Sequence, residues 1–372
     1  MSLKILHTSD IHLGAKLSYL GTKAGVHRNQ IRETFEKVVD LAVEKKVDLF
    51  LVAGDLFNDP FPSKTNVEFV RDQFQKLSKN GVKVAVIAGN HDLLEPGSVF
   101  LSDEMKFSEG NIHVFTDNSP WVIEDLDTTV YGVSITTQKS RKSPFSQIPV
   151  TKEDKSKIKI ALVHGSVEIG GKEADNHPID PKALQTSIFN YIALGDWHGK
   201  LEVSKNKSWY SGSPELIDSD QKEAGNVLIV DVAAETKVIP TNVGKRRVVK
   251  QEVDLGKYSD IVTLQKDLAS DGGEDVVKIV ELKGKKALSF DLDIEELEES
   301  LRSKFFYIKV KDESHLEISR QDLDKYPQEL ITGRYIKLLR EKEGVEDEII
   351  DEAIQYGIKM LESSERNSDK KA

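Results

Sequence analysis

Five short apolar runs, each ending on residues that can bind a metal, constrain this chain more than anything else in it. They are LKILHT (3–8), VDLFLVA (47–53), VKVAVIA (82–88), IKIALVH (158–164) and YIALG (191–195). Each has the length of a buried strand, roughly four to eight residues. Helical patterns separate the first three. NQIRETFEKVVDLAVEKK (29–46) places Ile31, Phe35, Val38, Val39 and Ala42 on one face. SKTNVEFVRDQFQKLSKNG (63–81) opens on a serine cap, stops at Gly81, and aligns Val67, Val70, Phe74 and Leu77. Strand–helix–strand–helix–strand predicts a layered α/β sheet.

At the carboxyl ends of these runs stand Asp10 and His12, Asp55, Asn90 and His91, His164, and Asp196 and His198. In open α/β sheets ligands bind beyond the carboxyl ends of the strands. These side chains are therefore expected to meet at one edge. Taken singly, each motif means little: Asp-x-His is common, GNHD reads as a capped turn, and an isolated buried His is more often structural than a ligand. A series of them, each terminating an apolar run, is hard to obtain from core packing. Carboxylates, imidazoles and one amide oxygen suit a pair of divalent first-row ions such as Mn²⁺, Fe²⁺ or Zn²⁺. Two such ions about 3.5–4 Å apart clamp a phosphate and share a bridging hydroxide. Asp55, central in the set, is the expected bridging carboxylate. The glycines before Asp55, Asn90 and Asp196 permit tight turns and close backbone approach.

Composition narrows the chemistry further. The chain has no Cys, which excludes a disulfide framework and thiolate metal sites. Its net charge of −11 excludes a passive electrostatic binder of nucleic acid. The basic stretches KSRKS (139–143) and GKRRVVK (244–250) could touch phosphates, and each is at least as readily a solvated loop face. No run approaches the ~20 apolar residues of a membrane span, and no membrane partner is expected. MSLKILHTSD enters a strand without the marks of a secretory signal, so a cytoplasmic location is expected. A length of 372 residues predicts a large domain plus a smaller one. After residue 110 the pattern turns strand-rich, with surface loops expected at 138–157 and 165–184. Near residue 245 the character changes again. Mixed short strands and helices run to 318, and an amphipathic helical tail follows. Its apolar positions are Leu330, Tyr335, Leu338 and Leu339, then Ile349, Ile350, Ile354, Ile358 and Leu361.

The order Asp10-Ile-His12, Gly54-Asp55, Gly89-Asn90-His91-Asp92, His164, Gly195-Asp196-Trp197-His198 resembles the signature of the calcineurin-like metallophosphoesterases. KILHTSDIHLG, FEKVVDLAVEKKVDLFLVAGDLFNDPFPS and YSGSPELIDSDQKEAGNVLIVDV are similar to one branch, the SbcD-like nuclease subunits of DNA double-strand-break repair. The resemblance covers residues 3–232 and fades afterwards. It implies a four-layer αββα metallophosphoesterase sandwich over 1–244, a smaller α+β capping domain over 245–318, and a helical tail over 319–372. It implies two divalent ions, Mn²⁺ first and Mg²⁺ second. Asp10, His12, Asp55 and His198 would hold one; Asp55, Asn90, His164 and Asp196 would hold the other. His91 would face the scissile phosphate and assist the leaving oxygen, with Asn58 beside it, where several relatives carry His or Asp. The implied activity is cleavage of DNA, as an exonuclease on duplex ends and an endonuclease on single strands or hairpins. The implied partners are DNA, an SbcC-like coiled-coil ATPase docking on the tail, and a second copy of the chain through the helix at 29–46. Tail helices packing back on their own chain are an equally weighted expectation.

One position departs from the pattern. The family expects His where this chain has Asp196. Two divalent ions carry four positive charges, and carboxylates at 10, 55 and 196 leave one; a His at 196 would leave two. Asp196 should favour harder ions such as Mn²⁺ or Mg²⁺ and make the bound water harder to ionise, with a more alkaline optimum. Two other readings compete: the same fold acting on a small phosphoester or cyclic nucleotide, and a weakly active DNA-binding adaptor for the ATPase.

Overall fold

The computed structural model describes residues 2–369 except 109, 151–152, 169–173, 175, 222, 288–289, 291 and 318–325. All five apolar runs are strands, but they divide between two sheets. β1 (Leu3–Thr8), β2 (Leu49–Ala53), β3 (Lys83–Ile87) and β4 (Ile112–Val114) run parallel in one. The other holds β5 (Trp121–Ile123), β6 (Thr128–Val133), β7 (Ile158–His164), β8 (Tyr191–Gly195), β9 (Leu201–Ser204) and β10 (Ser208–Tyr210). Its order is β5-β6-β7-β8-β10-β9. β11 (Asn226–Val232) and β12 (Lys237–Asn242) return to the first sheet and pair antiparallel beside β1.

Strand alternation explains the layering. Side chains two apart share a face. Leu3 and Ile5 of β1, Leu49 and Leu51 of β2, and Ile87 of β3 pack with Val130, Leu162 and Ala193 in one buried cluster between the sheets. Each such fully buried aliphatic side chain contributes about 2 kcal/mol. The alternate residues point outward. Phe50 meets Phe35 of α1 (Ala24–Glu44) edge-on, with ring centroids 6.4 Å apart. α1 and α2 (Lys64–Lys79) pack on each other, and α2 packs on β3. On the far face of the second sheet, Leu184 of α3 (Pro181–Thr186) packs with Tyr131, Val163, Ile192 and Tyr210. The result is two sheets flanked by helices.

α1 begins earlier than the expected residue 29. No side chain caps its N-terminus, so the signal for a start is missing from the sequence. Tertiary contacts hold the first turn instead. The buried His27 imidazole bonds the Leu216 carbonyl and, through Nδ1, Arg246 Nη1 at 3.0 Å. Glu215 adds to the same anchor, accepting from Thr34 Oγ1 (2.6 Å) and from the backbone N–H groups of Lys245 and Arg246 (both 2.9 Å). α2 begins where its cap predicts, with Ser63 accepting from the Asn66 N–H.

The chain divides into two compact units, Met1–Val248 and Val249–Ala372. β13 (Arg247–Asp254), β14 (Gly273–Lys283) and β16 (Phe305–Asp312) form a three-stranded sheet, and β15 (Lys285–Ala287) pairs with β17 (His315–Glu317). Leu264 and Leu268 of α4 (Ile261–Leu268) and Leu297 and Leu301 of α5 (Ile294–Leu301) cover this sheet's core. α6 (Ile331–Arg340) and α7 (Asp347–Asp369) bury Ile336, Ile350, Ile354 and Ile358 against each other. Leu330, Leu338 and Ile349 remain exposed. The tail is thus internally packed on one stripe and open on another. Its first residues, 319–325, lie outside the described ones. No helix among the described residues is long and apolar enough to cross a membrane.

Candidate metal centre

The carboxyl ends of β1, β2 and β3 in one sheet face those of β7 and β8 in the other, and backbone bonds stitch the loops together. Asp10 N donates to the Gly54 carbonyl at 3.1 Å, and His12 N to the Asp55 carbonyl at 3.0 Å. Across the sheets, His164 Nδ1 lies 2.8 Å from the Ala53 carbonyl. Asp196 N donates to the Asp10 carboxylate at 3.1 Å. Two glycines make this approach feasible. Gly54 has φ +89, and a Cβ there would strike the His164 ring. A Cβ on Gly195 would strike the Ala53 carbonyl.

The side chains converge as their strand positions predict. Asp10, His12 and His198 form one cluster able to hold an ion; Asp10, Asp55 and His164 form another; His12, Asp55 and His91 form a third. Asp55 Oδ2 is 3.5 Å from His12 Nε2 and also 3.5 Å from His164 Nε2. His12 Nε2 and His198 Nε2 are 3.3 Å apart. Asn90 Oδ1 lies 2.8 Å from His164 Nε2, and Asp196 Oδ1 lies 3.8 Å from the same nitrogen. His91 is exposed at the mouth, its ring edge-on to His12 at 4.7 Å. Asn58, three residues after Asp55, is held by its backbone N–H on the Leu13 carbonyl at 3.1 Å.

The backbone is strained at this site. Asp10 (φ 53), His12 (φ 51), Asp55 (φ 52) and Asp196 (φ 103) all adopt the left-handed half of φ space. Such conformations cost about 1–3 kcal/mol each and persist where surrounding contacts over-determine them. Here the strand ends and cross-sheet bonds do so.

The electrostatics fit bound cations. Asp10 and Asp55 are buried, and among the described residues no Lys or Arg forms an ion pair with either. A protonated His164 and a few hydrogen bonds offset part of the cost of these buried carboxylates, and a metal would relieve more of it. Burial pushes the Asp55 carboxyl well above its usual range, with Asp92 and Asp10 adding to the shift against the pull of His164. Burial, then the charges of His198, His91 and His164, hold His12 well below 6.5. Burial also opposes charge on His164, but Asp55, Asp10 and Asp196 outweigh it and lift this imidazole to about 9. His91 is lowered by burial and by His198 and His164. The residues present therefore fit divalent cations, and Asp55 belongs to two of the three clusters that could hold one.

Several residues that shape the site were given no role by the sequence, although Asp92 stood within a motif. Ser9 Oγ donates to Asp10 Oδ2 at 2.5 Å and lies 2.9 Å from Ser211 Oγ. Ser166 Oγ donates to Asp196 Oδ2. Asp92, written in GNHD, binds no neighbouring imidazole but clamps two loops, accepting from Gly89 N at 2.7 Å and Phe57 N at 2.9 Å. Burial raises its carboxyl to about 6 against these bonds. The motif held that signal, since a buried Asp after a ligand pair is a natural acceptor for adjacent loop N–H groups.

Comparison with known protein families matches residues 3–230 to the calcineurin-like phosphoesterases (Metallophos). Among solved structures, TT1561 of Thermus thermophilus is 16% identical, with 65% of this chain and 100% of that chain covered and a TM-score of 0.37. Another is 13% identical over the same shares, with a TM-score of 0.43. The family match spans more than half of the chain and ends within the strand that closes the first sheet beside β1. The protein belongs to the calcineurin-like phosphoesterases, metal-dependent hydrolases of phosphate esters.

Proposed function

We propose that this chain is a two-metal DNA phosphodiesterase, an exo- and endonuclease subunit of double-strand-break repair. The observation that carries the reading is Asp55 Oδ2, set 3.5 Å from an imidazole on either side, with the exposed His91 above it. Asp10, His12, Asp55 and His198 would hold one ion; Asp55, Asn90, His164 and Asp196 the other. Mn²⁺ is the proposed native ion, with Mg²⁺ as its substitute, because three carboxylates favour hard cations. When bound, the ions neutralise the phosphoryl oxygens and lower the pKa of the attacking water.

The chain's own groups do the rest. The three carboxylates set the net charge of the site. Partial desolvation of the His91 ring and the neighbouring His198 and His164 lower its pKa from the usual imidazole value. A neutral imidazole presents an N–H to the leaving oxygen without repelling the ions. Asn58, three residues after Asp55, would face the substrate beside His91, whose ring packs edge-on against His12.

Two features favour DNA as the diester. The stretches around 4–14, 35–63 and 210–232 resemble the SbcD-like branch in wording as well as in ligands. Lys139, Arg141 and Lys142 are exposed on a loop tied to the segment after His164: His177 N donates to the Ser140 carbonyl at 2.8 Å. Local positive charge beside the centre is what an acidic protein needs to hold a polyanion. An SbcC-like ATPase on the open stripe of α6 and α7, a homodimer through α1, and a cytoplasmic location belong to the same proposal.

The test is cleavage of linear duplex and single-stranded DNA with Mn²⁺, Mg²⁺ or EDTA, beside hydrolysis of bis(p-nitrophenyl) phosphate. Metal-dependent DNA cleavage that falls by about a hundredfold or more in His91→Ala is expected. Hydrolysis of the small diester without cleavage of DNA would replace the nuclease with a small-phosphoester enzyme. Tight DNA binding without hydrolysis of either would favour an adaptor.

A further inference from the structure

Trp197 stands between two candidate ligands, Asp196 and His198, and is 52% exposed. Single exposed apolar side chains are ordinary. This one differs in being clamped on both sides. Asp196 N is held by the Asp10 carboxylate at 3.1 Å, and the His198 carbonyl accepts from Ser213 N at 3.0 Å. The indole's attachment is therefore fixed relative to the metal centre.

Beside it lies a cavity of about 340 Å³, bounded by Trp197, Gly199, Asp218, Asp220 and Gln221 together with the two ligands. Gln221 is buried and tied to its own loop, accepting from Ile217 N at 2.8 Å. Asp218 Oδ1 accepts from Asp220 N at 3.3 Å, which orders the acidic turn. The cavity thus has an aromatic wall and a carboxylate rim. Carboxylates repel phosphate, so the occupant is not the anionic part of a substrate. They accept N–H groups. A flat, neutral, N–H-bearing group attached to a phosphodiester describes a nucleobase.

We infer that Trp197, Asp218 and Asp220 form a nucleobase subsite beside the metal centre. It takes an unpaired base next to the scissile phosphodiester and favours bases with exocyclic amino groups. The inference rests on the nuclease reading and adds to it a strand feature the enzyme reads. Stacking on the indole supplies affinity without sequence demand. The carboxylates supply the preference, because adenine and cytosine offer an amino group where thymine offers none.

The experiment compares single-stranded oligomers of dA, dC and dT with an abasic tetrahydrofuran oligomer of the same length. Wild type, Trp197→Ala, Trp197→Phe and Asp218→Asn are each assayed with Mn²⁺. Wild type is expected to show a lower KM for dA and dC than for dT, and the highest for the abasic strand. Trp197→Ala should collapse the ratio between base-bearing and abasic strands by roughly tenfold or more, the range of one base stack. Trp197→Phe should restore most of that ratio, and Asp218→Asn should level dA with dT. Melting curves and metal content identify a misfolded variant, and the wild-type order of dA, dC, dT and abasic strands together with Asp218→Asn then carries the test. An unchanged ratio in Trp197→Ala, or a thymine preference in wild type, would overturn the subsite while leaving the nuclease standing. No oligomer cleavage by wild type, with bis(p-nitrophenyl) phosphate still hydrolysed, would remove the nuclease and the subsite together.

Discussion

The chain writes Asp-x-His twice, at 10–12 and at 196–198, and the two copies are built differently. Asp10 is fully buried at the end of β1, with Ser9 Oγ on one oxygen and the Asp196 N–H on the carboxylate. His12 is buried beside it. Asp196 leaves β8 with its side chain 21% exposed, and His198 is only half-buried. The first copy is a core element with strand-paired backbone on either side. The second is a loop element whose geometry depends on a few side chains. Identical letters therefore carry different energetic weight: one holds its position by burial, the other by hydrogen bonds that single substitutions can remove.

Breaking the first copy should have the largest effect. Asp10→Asn removes a buried charge that faces His164 and orients the Asp196 backbone, and activity is expected to fall about a thousandfold. Metal content measured on the purified variant should fall with it. Retention of two ions with full activity would show that the copies are interchangeable.

The second copy should respond through its supports. Ser166→Ala frees Asp196 Oδ2, so the carboxylate no longer offers a single oriented oxygen toward His164. Affinity for the second ion is expected to drop about 10- to 100-fold, the usual size for a residue that orients a ligand, as read by calorimetric titration with Mn²⁺. In an Asp196→His background the same change should be silent. Equal losses in both backgrounds would mean that Ser166 only packs there. Asp196→His alone should shift the optimum toward lower pH, because the site gains net positive charge.

The smallest difference is in protons. His12 is neutral in the metal-free protein, whereas His164 is raised to about 9 by its carboxylates. A raised imidazole stabilises the metal-free fold fully below its unfolded value of 6.5 and loses that contribution as pH rises through about 9. Binding a metal must displace the proton that His164 and Asp55 hold between them, so affinity should climb with pH until His164, raised to about 9, has lost it. Titrations in two buffers of different ionisation enthalpy count the protons. His164→Asn is expected to release about one fewer than wild type, and His12→Asn no fewer. The reverse order would show that the first site, not the second, is the one held shut by a proton.

Legibility differed between these same regions. The five strands, α1 and α2, and the ligand-type residues stood in the sequence as apolar runs of strand length and three-to-four-residue helical spacing; α3 (Pro181–Thr186), which overlaps the loop expected at 165–184, did not. Those patterns arise from local geometry and burial, which any stretch of chain expresses by itself. The early start of α1 was not legible, because its first turn is held by Leu216 and Arg246, far along the chain, rather than by a cap. The two β layers were implied by the family resemblance alone; which strand joins which sheet could not be read from the runs, since a buried strand reads alike in either.

By itself, then, the sequence determined which residues could bind metal and that they would stand at strand ends, because alternation and strand length are local properties. Only the tertiary structure decided that Asp55 Oδ2 would lie 3.5 Å from both His12 and His164, that Ser166 would take one oxygen of Asp196, and that Trp197 would face a cavity. Those are relations between residues more than a hundred positions apart or on facing loops. They depend on how two twisted sheets meet, a matter of packing that no local pattern encodes.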